Sequence, residues 1–194
     1  MAAAMSAARG RLDAAAGNLA NVSTNGFERV VASGRLSGGG IALSTAVDRK
    51  AGPLERTGRA FDLTVAERGA FLVRDGARIA LVRSASFFRD ARGRLADAQG
   101  RVLLGRYGAL RTSDASTIDA RGVVRDRGRE LDRVRVVPGT TVRSGFLMRS
   151  NVDAVREMVD VLAAERSFET AQKALSALDD ARAKDAGDVA RIKS

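Results

Sequence analysis

Apolar residues recur at three- and four-residue spacing at both ends of this chain, and neither stripe is wide enough to be a core by itself. Near the start, Met5, Ala8, Leu12, Ala15, Leu19 and Val22 fall on one helical face. Near the end, Val152, Val155, Val159 and Leu162 form one line, and Val161, Ala164, Phe168, Ala171, Leu175 and Leu178 form a second. The second line alternates threes and fours strictly, which is the spacing of a coiled-coil seam. Thin, alanine-rich helices are marginal in water when isolated. Each end therefore needs a partner, and the nearest candidate is the other end. This constraint predicts an α+β chain whose N- and C-terminal helices pair as a coiled-coil-like stem, with an antiparallel β-rich domain inserted between them.

The middle reads as strands and turns. In "FDLTV", Phe61, Leu63 and Val65 alternate with Asp62 and Thr64, so the two sets are expected on opposite faces. "AFLVRDGARIALV" predicts a hairpin that turns at Asp75-Gly76. Asp-x-x-Gly recurs at 90–93, 97–100 and 119–122. An Asp at the first position accepts backbone N–H bonds, and Gly at the last takes a positive φ. A Ca²⁺ loop needs clustered oxygens, whereas each of these sites offers one carboxylate. "SGRLSGGGIAL" (33–43) has three consecutive Gly and is expected to be a flexible connection. The C-terminal helix starts after Ser150 or Asn151 as cap, with Asp153 in its first turn.

Composition removes several kinds of chemistry. Neither Cys nor His occurs, which excludes thiol catalysis, disulfides, Cys/His zinc sites and the Ser-His-Asp triad. Lacking Cys, the chain suits a reducing or an oxidising compartment equally. Carboxylate pairs such as Asp62 with Glu67 or Asp75 have no pocket implied around them, so no enzyme is expected and no cofactor or metal is assigned. The net charge of +10 raises a nucleic-acid reading. The arginines are interleaved with Asp and Glu, however, and Tyr107 is the only Tyr available for stacking. No stretch approaches the roughly 18 apolar residues of a membrane span. The Ala-rich start carries Arg9 and Arg11 where a cleaved signal would be apolar, so neither membrane insertion nor a cleaved signal peptide is expected.

Two motifs resemble those of a known family. "LDAAAGNLANVSTNGFE" is similar to the N-terminal signature of the flagellar basal-body rod and hook proteins, through Asn18, Leu19, Ala20, Asn21, Gly26 and Phe27. "SNVDAVREMVDVLAAERSFE" resembles that family's C-terminal signature, through Ser150, Asn151, Val152, Asp153, Glu157, Met158, Val159, Arg166 and Phe168. "AGPLERTGRAFDLTVAERGAFLV" (51–73) and "ASFFRDARGRLADAQGRVLLG" (85–105) resemble the family's middle. Gly17 stands where the family tends to have Asn, and Glu67-Arg68 replaces a usual Gly-Asp. The modest inserted domain is most similar to that of the proximal rod members, with the distal rod and hook-like members as alternatives.

The resemblance implies a structural subunit of the rod that crosses the periplasm and transmits torque. It implies self-association in a helical polymer, other rod and hook-basal-body subunits as partners, and passage through the flagellar export apparatus. It assigns 1–26 to the N-terminal rod helix and turn, 27–148 to the inserted domain, 149–185 to the C-terminal helix and 186–194 to a flexible tail. The expected subunit interface comprises Leu12, Asn18, Leu19, Asn21, Val22, Gly26 and Phe27 at one end. At the other it comprises Asn151, Val152, Val155, Met158, Val159, Leu162, Arg166, Phe168 and Leu175. Asn18 and Asn21 would lie near a subunit junction, bonding a neighbour's backbone or capping their own helix, and Asn25-Gly26 would turn the chain outward.

Overall fold

The computed structural model describes residues 2–37, 40–66 and 69–192. The chain forms two compact units. One comprises Met1–Ala20, Val30–Asp48 and Asp153–Ser194, and the other comprises Asn21–Arg29 and Arg49–Val152.

The first unit holds helix α1 (Ala2–Ala20), strands β1 (Val30–Ser37) and β2 (Gly40–Val47), and helix α2 (Ala154–Ile192). The two helices pack on each other, as the stripes at the two ends predict. Asp153, not Ser150 or Asn151, caps α2: its Oδ1 accepts from the amides of Val155 (3.0 Å) and Arg156 (3.2 Å). The helix is 39 residues long and runs to Ile192, through most of the tail expected from 186. The Gly-rich segment expected to be a flexible connection forms the antiparallel hairpin β1–β2, with Val30 opposite Val47. Residues 38 and 39 of that segment lie outside the described residues. β-Branched Val30, Val31, Thr45 and Val47 flank the glycines and favour strands over coil. Gly10 of α1 admits the hairpin closely, because a Cβ there would lie 2.0 Å from Leu43 Cδ2.

The second unit is entirely β. It contains β3 (Leu54–Arg56), β4 (Asp62–Val65), β5 (Phe71–Asp75), β6 (Arg78–Val82), β7 (Ser84–Ser86), β8 (Phe88–Arg89) and β9 (Leu95–Ala96). These are followed by β10 (Val102–Gly105), β11 (Gly108–Ala109), β12 (Ser116–Ile118), β13 (Val123–Asp126), β14 (Arg129–Arg133), β15 (Val142–Ser144) and β16 (Phe146–Met148). Sheets run in the orders β6-β5-β10-β9-β8, β12-β13-β14, β15-β4-β7 and β16-β3, with β11 on β10 and every pairing antiparallel. Their inner faces share a core of Leu63, Val65, Val73, Leu95, Leu103, Leu110, Val124 and Val142 around a Phe71–Phe87 edge-to-face pair, 6.3 Å between centroids.

The predicted alternation in β4 fails. Asp62 and Thr64 are as buried as Leu63 and Val65, because β4 is the middle strand of its sheet and is covered on both faces. Thr64 Oγ1 donates to the Arg83 carbonyl at 3.3 Å, and Asp62 lies 3.8 Å from Arg59 Nε. The β5–β6 hairpin forms as expected, but Asp75 pairs with Arg78, so Gly76 and Ala77 make the turn. Glu67 lies outside the described residues, and Asp75 is exposed. Among the described residues no cluster of acidic side chains could hold a metal ion.

The three Asp-x-x-Gly turns form alike. Asp90 Oδ1 accepts the amides of Arg92 and Arg94 at 2.9 and 2.8 Å. Asp97 accepts those of Gln99 and Arg101 at 3.0 and 2.9 Å. Asp119 accepts those of Arg121 and Val123, both at 2.9 Å. The closing glycines have φ of 72°, 79° and 75°. In each turn the second carboxylate oxygen takes an Arg side chain: Arg94, Arg101 or Arg125. The Arg94 amide and guanidinium hold the Asp90 carboxyl below its ordinary value. For Asp119, burial works against ionisation, but the Val123 and Arg121 amides and the Arg125 guanidinium outweigh it and lower the carboxyl. A lowered native carboxyl contributes stability above the unfolded value and loses it as pH falls through the native one. Chemical unfolding of the β unit is therefore expected to be level from neutral pH to about pH 4 and to weaken below it. Asp90→Asn combined with Asp119→Asn should flatten that acid limb.

One turn carries strain. Between β13 and β14 the two-residue turn holds Arg127 at φ 48° and Gly128 at φ 84°. This is the type I′ pattern, in which both central positions need positive φ; that suits Gly or Asn and costs other residues about 1–2 kcal/mol. Arg127→Asn is expected to raise the denaturation free energy by about 1 kcal/mol, measured by denaturant unfolding.

Candidate assembly surface

The polar crowding at the end of α1 has a local explanation. Asn18 is 1% exposed. Its Nδ2 donates to the Val30 carbonyl (2.8 Å) and to Glu157 Oε2 (3.0 Å), and its Oδ1 accepts the Val30 amide at 2.8 Å. The side-chain amide thus pairs with Val30 as a neighbouring strand would, and it ties the start of the hairpin to both helices. Glu157, also 1% exposed, is the acidic end of this cluster inside the helix pair. Within one chain, Asn18 thus fastens the hairpin and the second helix to the end of α1.

In the β unit Asn151 has a similar role. It accepts the Arg29 amide at Oδ1 (2.7 Å), donates from Nδ2 to the Lys50 carbonyl (2.9 Å), and its own N–H reaches the Phe27 carbonyl at 3.4 Å. Asn21 accepts at Oδ1 from the Thr24 hydroxyl (3.1 Å) and at its carbonyl from the Thr24 amide (3.0 Å), so it shapes the turn after α1. Gly26 sits in that turn at φ +70°, with its N–H on the Met148 carbonyl at 2.8 Å. A Cβ there would lie 2.8 Å from the Ser84 nitrogen. Ser84 is itself fixed, because its Oγ accepts the Met148 amide at 2.8 Å. Gly26→Ala is therefore expected to destabilise the β unit by at least about 2 kcal/mol, combining left-handed strain with a backbone collision. Thermal unfolding of the variant checks this.

The two stripes on α2 have different fates. Glu157, Val161, Ala164, Phe168, Ala171 and Leu175 are buried or half-buried, so the strict three-four line faces α1. Asn18, near the end of α1, meets Glu157, near the start of α2, so the helices run antiparallel. With 19 residues against 39, α1 can cover only about the first half of its partner. Beyond Leu175 the described side chains of α2 are exposed, Leu178 among them. The other line is open from its second member onward: Val155 is 72% exposed, Met158 51%, Val159 59% and Leu162 55%. These four follow i, i+3, i+4, i+7 and form one continuous apolar strip on a rigid helix.

The expected interface residues thus separate into two groups. Asn18, Asn21, Gly26 and Asn151 hold the chain's own turns and crossings, and Leu12, Leu19, Val22, Phe27, Val152, Phe168 and Leu175 are half-buried. Val155, Met158, Val159 and Leu162 remain uncovered, and Arg166 is exposed beside them in sequence. Glu157 and Ser84 were not among the expected site residues. Their partners lie far away along the chain; Glu157 falls within the C-terminal signature, which could have marked it, whereas no local pattern marks Ser84.

Residues 143–184, which contain most of β15, all of β16 and most of α2, match the family described as flagellar basal body rod FlgEFG protein C-terminal. The chain is also similar to the flagellar basal-body rod protein FlgG of Bacillus subtilis, 24% identical over a 237-residue alignment that covers 88% of this chain and 90% of that one.

Proposed function

We propose that this chain is a structural, non-enzymatic subunit of the flagellar basal-body rod and that it polymerises helically through the uncovered strip of α2. The observation that carries the reading is the strip itself: Val155, Met158, Val159 and Leu162, apolar, in helical register and exposed. Burying the remaining surface of four such side chains contributes about 1–2 kcal/mol each. Bringing two subunits together costs about 4–15 kcal/mol. One strip-to-neighbour contact, about 4–8 kcal/mol in all, does little more than offset that cost, so a stable polymer needs each subunit to touch several neighbours. A heterologous contact that does not close supplies this in a helical polymer.

The overhanging half of α2 would pack against helices of neighbouring copies, where α1 does not reach. Other rod subunits are the partners, and delivery is through the flagellar export apparatus. For position along the shaft, the small inserted region favours a proximal place, while likeness to FlgG over nearly the whole chain favours a distal one. We take the distal reading, because the likeness extends over 88% of this chain and 90% of that one. Electron microscopy of basal bodies from cells whose only copy carries Val159→Asp with Leu162→Asp tests the function. Truncated rods and lost swimming, with the protein still made and exported, are expected. Complete rods would contradict the reading.

A further inference from the structure

The net charge of +10 is not shared between the two units. Segments 21–29 and 49–152 hold 23 Lys and Arg against 12 Asp and Glu, a net +11, and Lys50 is the single lysine among them. The rest of the chain holds 10 against 11, a net −1. Charge therefore does not oppose association of copies through the helical unit, while it sets the β units of copies against one another.

Within the β unit, one sheet face combines exposed apolar side chains with arginines. Phe71 and Val73 of β5 point into the core, so Leu72 and Arg74 point outward. Leu72 lies opposite Leu81 and Arg74 opposite Ile79 on β6. Ile79 is 57% and Leu81 64% exposed. On the other flank of β5 the Leu72 amide bonds the Arg135 carbonyl at 2.9 Å. Val134 and Val136 turn to the core, which leaves Arg135 outward as well. Arg78 is exposed at the start of β6, the terminal strand of its sheet. Arg94, Arg101 and Arg125 are each committed to a turn aspartate. By contrast, Arg74, Arg78 and Arg135 have no side-chain hydrogen bond or ion pair among the described residues.

We propose that this outward face of β5–β6 docks an acidic surface of a different protein, with Ile79 and Leu81 at the apolar centre and Arg74, Arg78 and Arg135 receiving carboxylates. Guanidinium groups match carboxylates in paired geometry and lose little hydration on contact. An apolar centre with an arginine rim is the composition of a protein interface. The face has no aromatic ring for stacking bases, which disfavours nucleic acid. The net +11 disfavours a second copy.

The test uses the full chain and fluorescence anisotropy with two probes: a labelled peptide alternating Glu and Leu, and a DNA duplex of equal charge. The peptide should bind, and more tightly than the duplex. Ile79→Ser with Leu81→Ser, and separately Arg74→Ala with Arg135→Ala, should each weaken it about tenfold. Arg92→Ala with Arg121→Ala, exposed arginines of the Asp-x-x-Gly turns, should change it less than about twofold. Amide exchange of unaltered protein should slow over Arg78–Val82 when the peptide is added, a readout that does not depend on any variant folding. The proposal is overturned by any of four results: no peptide binding, tighter binding to DNA, equal loss in the control pair, or self-association that Ile79→Ser with Leu81→Ser abolishes.

Discussion

Asn18→Ala is expected to lower the stability of the helix–hairpin unit by about 3 kcal/mol or more. The substitution removes three hydrogen bonds, one of them to the Glu157 carboxylate. A bond to a charged group contributes about 1.5–3 kcal/mol and a neutral one about 1. Alanine also leaves the Val30 amide and carbonyl without the side chain that matches both. Asn18→Asp should be worse, because it keeps the acceptor for the Val30 amide but sets a second carboxylate against Glu157. Adding Glu157→Gln to Asn18→Asp restores a donor opposite the new carboxylate and should recover part of the loss. A double-mutant cycle then isolates the pair. Both helices lie in this unit and the β unit has none, so circular dichroism at the helix band follows its unfolding selectively. A cost below about 0.5 kcal/mol for Asn18→Ala, the range of an ordinary surface change, would show that the cluster does not hold the unit together.

Val159→Asp with Leu162→Asp is expected to raise the protein concentration needed for polymerisation at least about 100-fold, equivalent to about 2.7 kcal/mol per subunit added. Both side chains are more than half exposed in the single chain, so its own folding should change by less than about 0.5 kcal/mol. In the polymer the same positions would place unpaired carboxylates in an apolar contact, which is far more costly than losing the contact alone. The contrast with Phe168→Asp is informative. Phe168 lies on the side of α2 that faces α1, so that change should damage the chain itself before assembly begins. Sedimentation of purified protein across a concentration series measures the first effect, and denaturant unfolding separates it from the second.

Local chemistry was legible in the sequence, and apart from the pairing of the two terminal helices, long-range contacts were not. The Asp-x-x-Gly turns form as read because every bond that defines them lies within a few residues. The terminal helices and their pairing followed from three-four spacing, which is also local. Asn18 shows the limit: its partners Val30 and Glu157 are 12 and 139 residues away. Without them its amide reads as a helix stop. The two lines on α2 have similar spacing and apolarity, so periodicity could not say which faces α1. The short length of α1 and the polar Asn18–Glu157 contact decide that. The β1–β2 hairpin was hidden because three consecutive glycines outweighed the flanking valines. Asp62 was misplaced because alternation reports one solvent face, and β4 has none.

The central claim is that the uncovered strip of α2 touches another copy. The chain contains no cysteine, so a single Met158→Cys introduces one defined reactive position. Basal bodies isolated from cells carrying that variant would be labelled with a short thiol-reactive photo-crosslinker, which captures whatever residue of a neighbour lies against position 158, then irradiated and run under denaturing conditions. Dimers of this chain from Met158→Cys, and none from Tyr107→Cys on the exposed β10–β11 turn, are the predicted result. Monomer alone at Met158→Cys, in rods that are complete and contain the variant, would contradict the account.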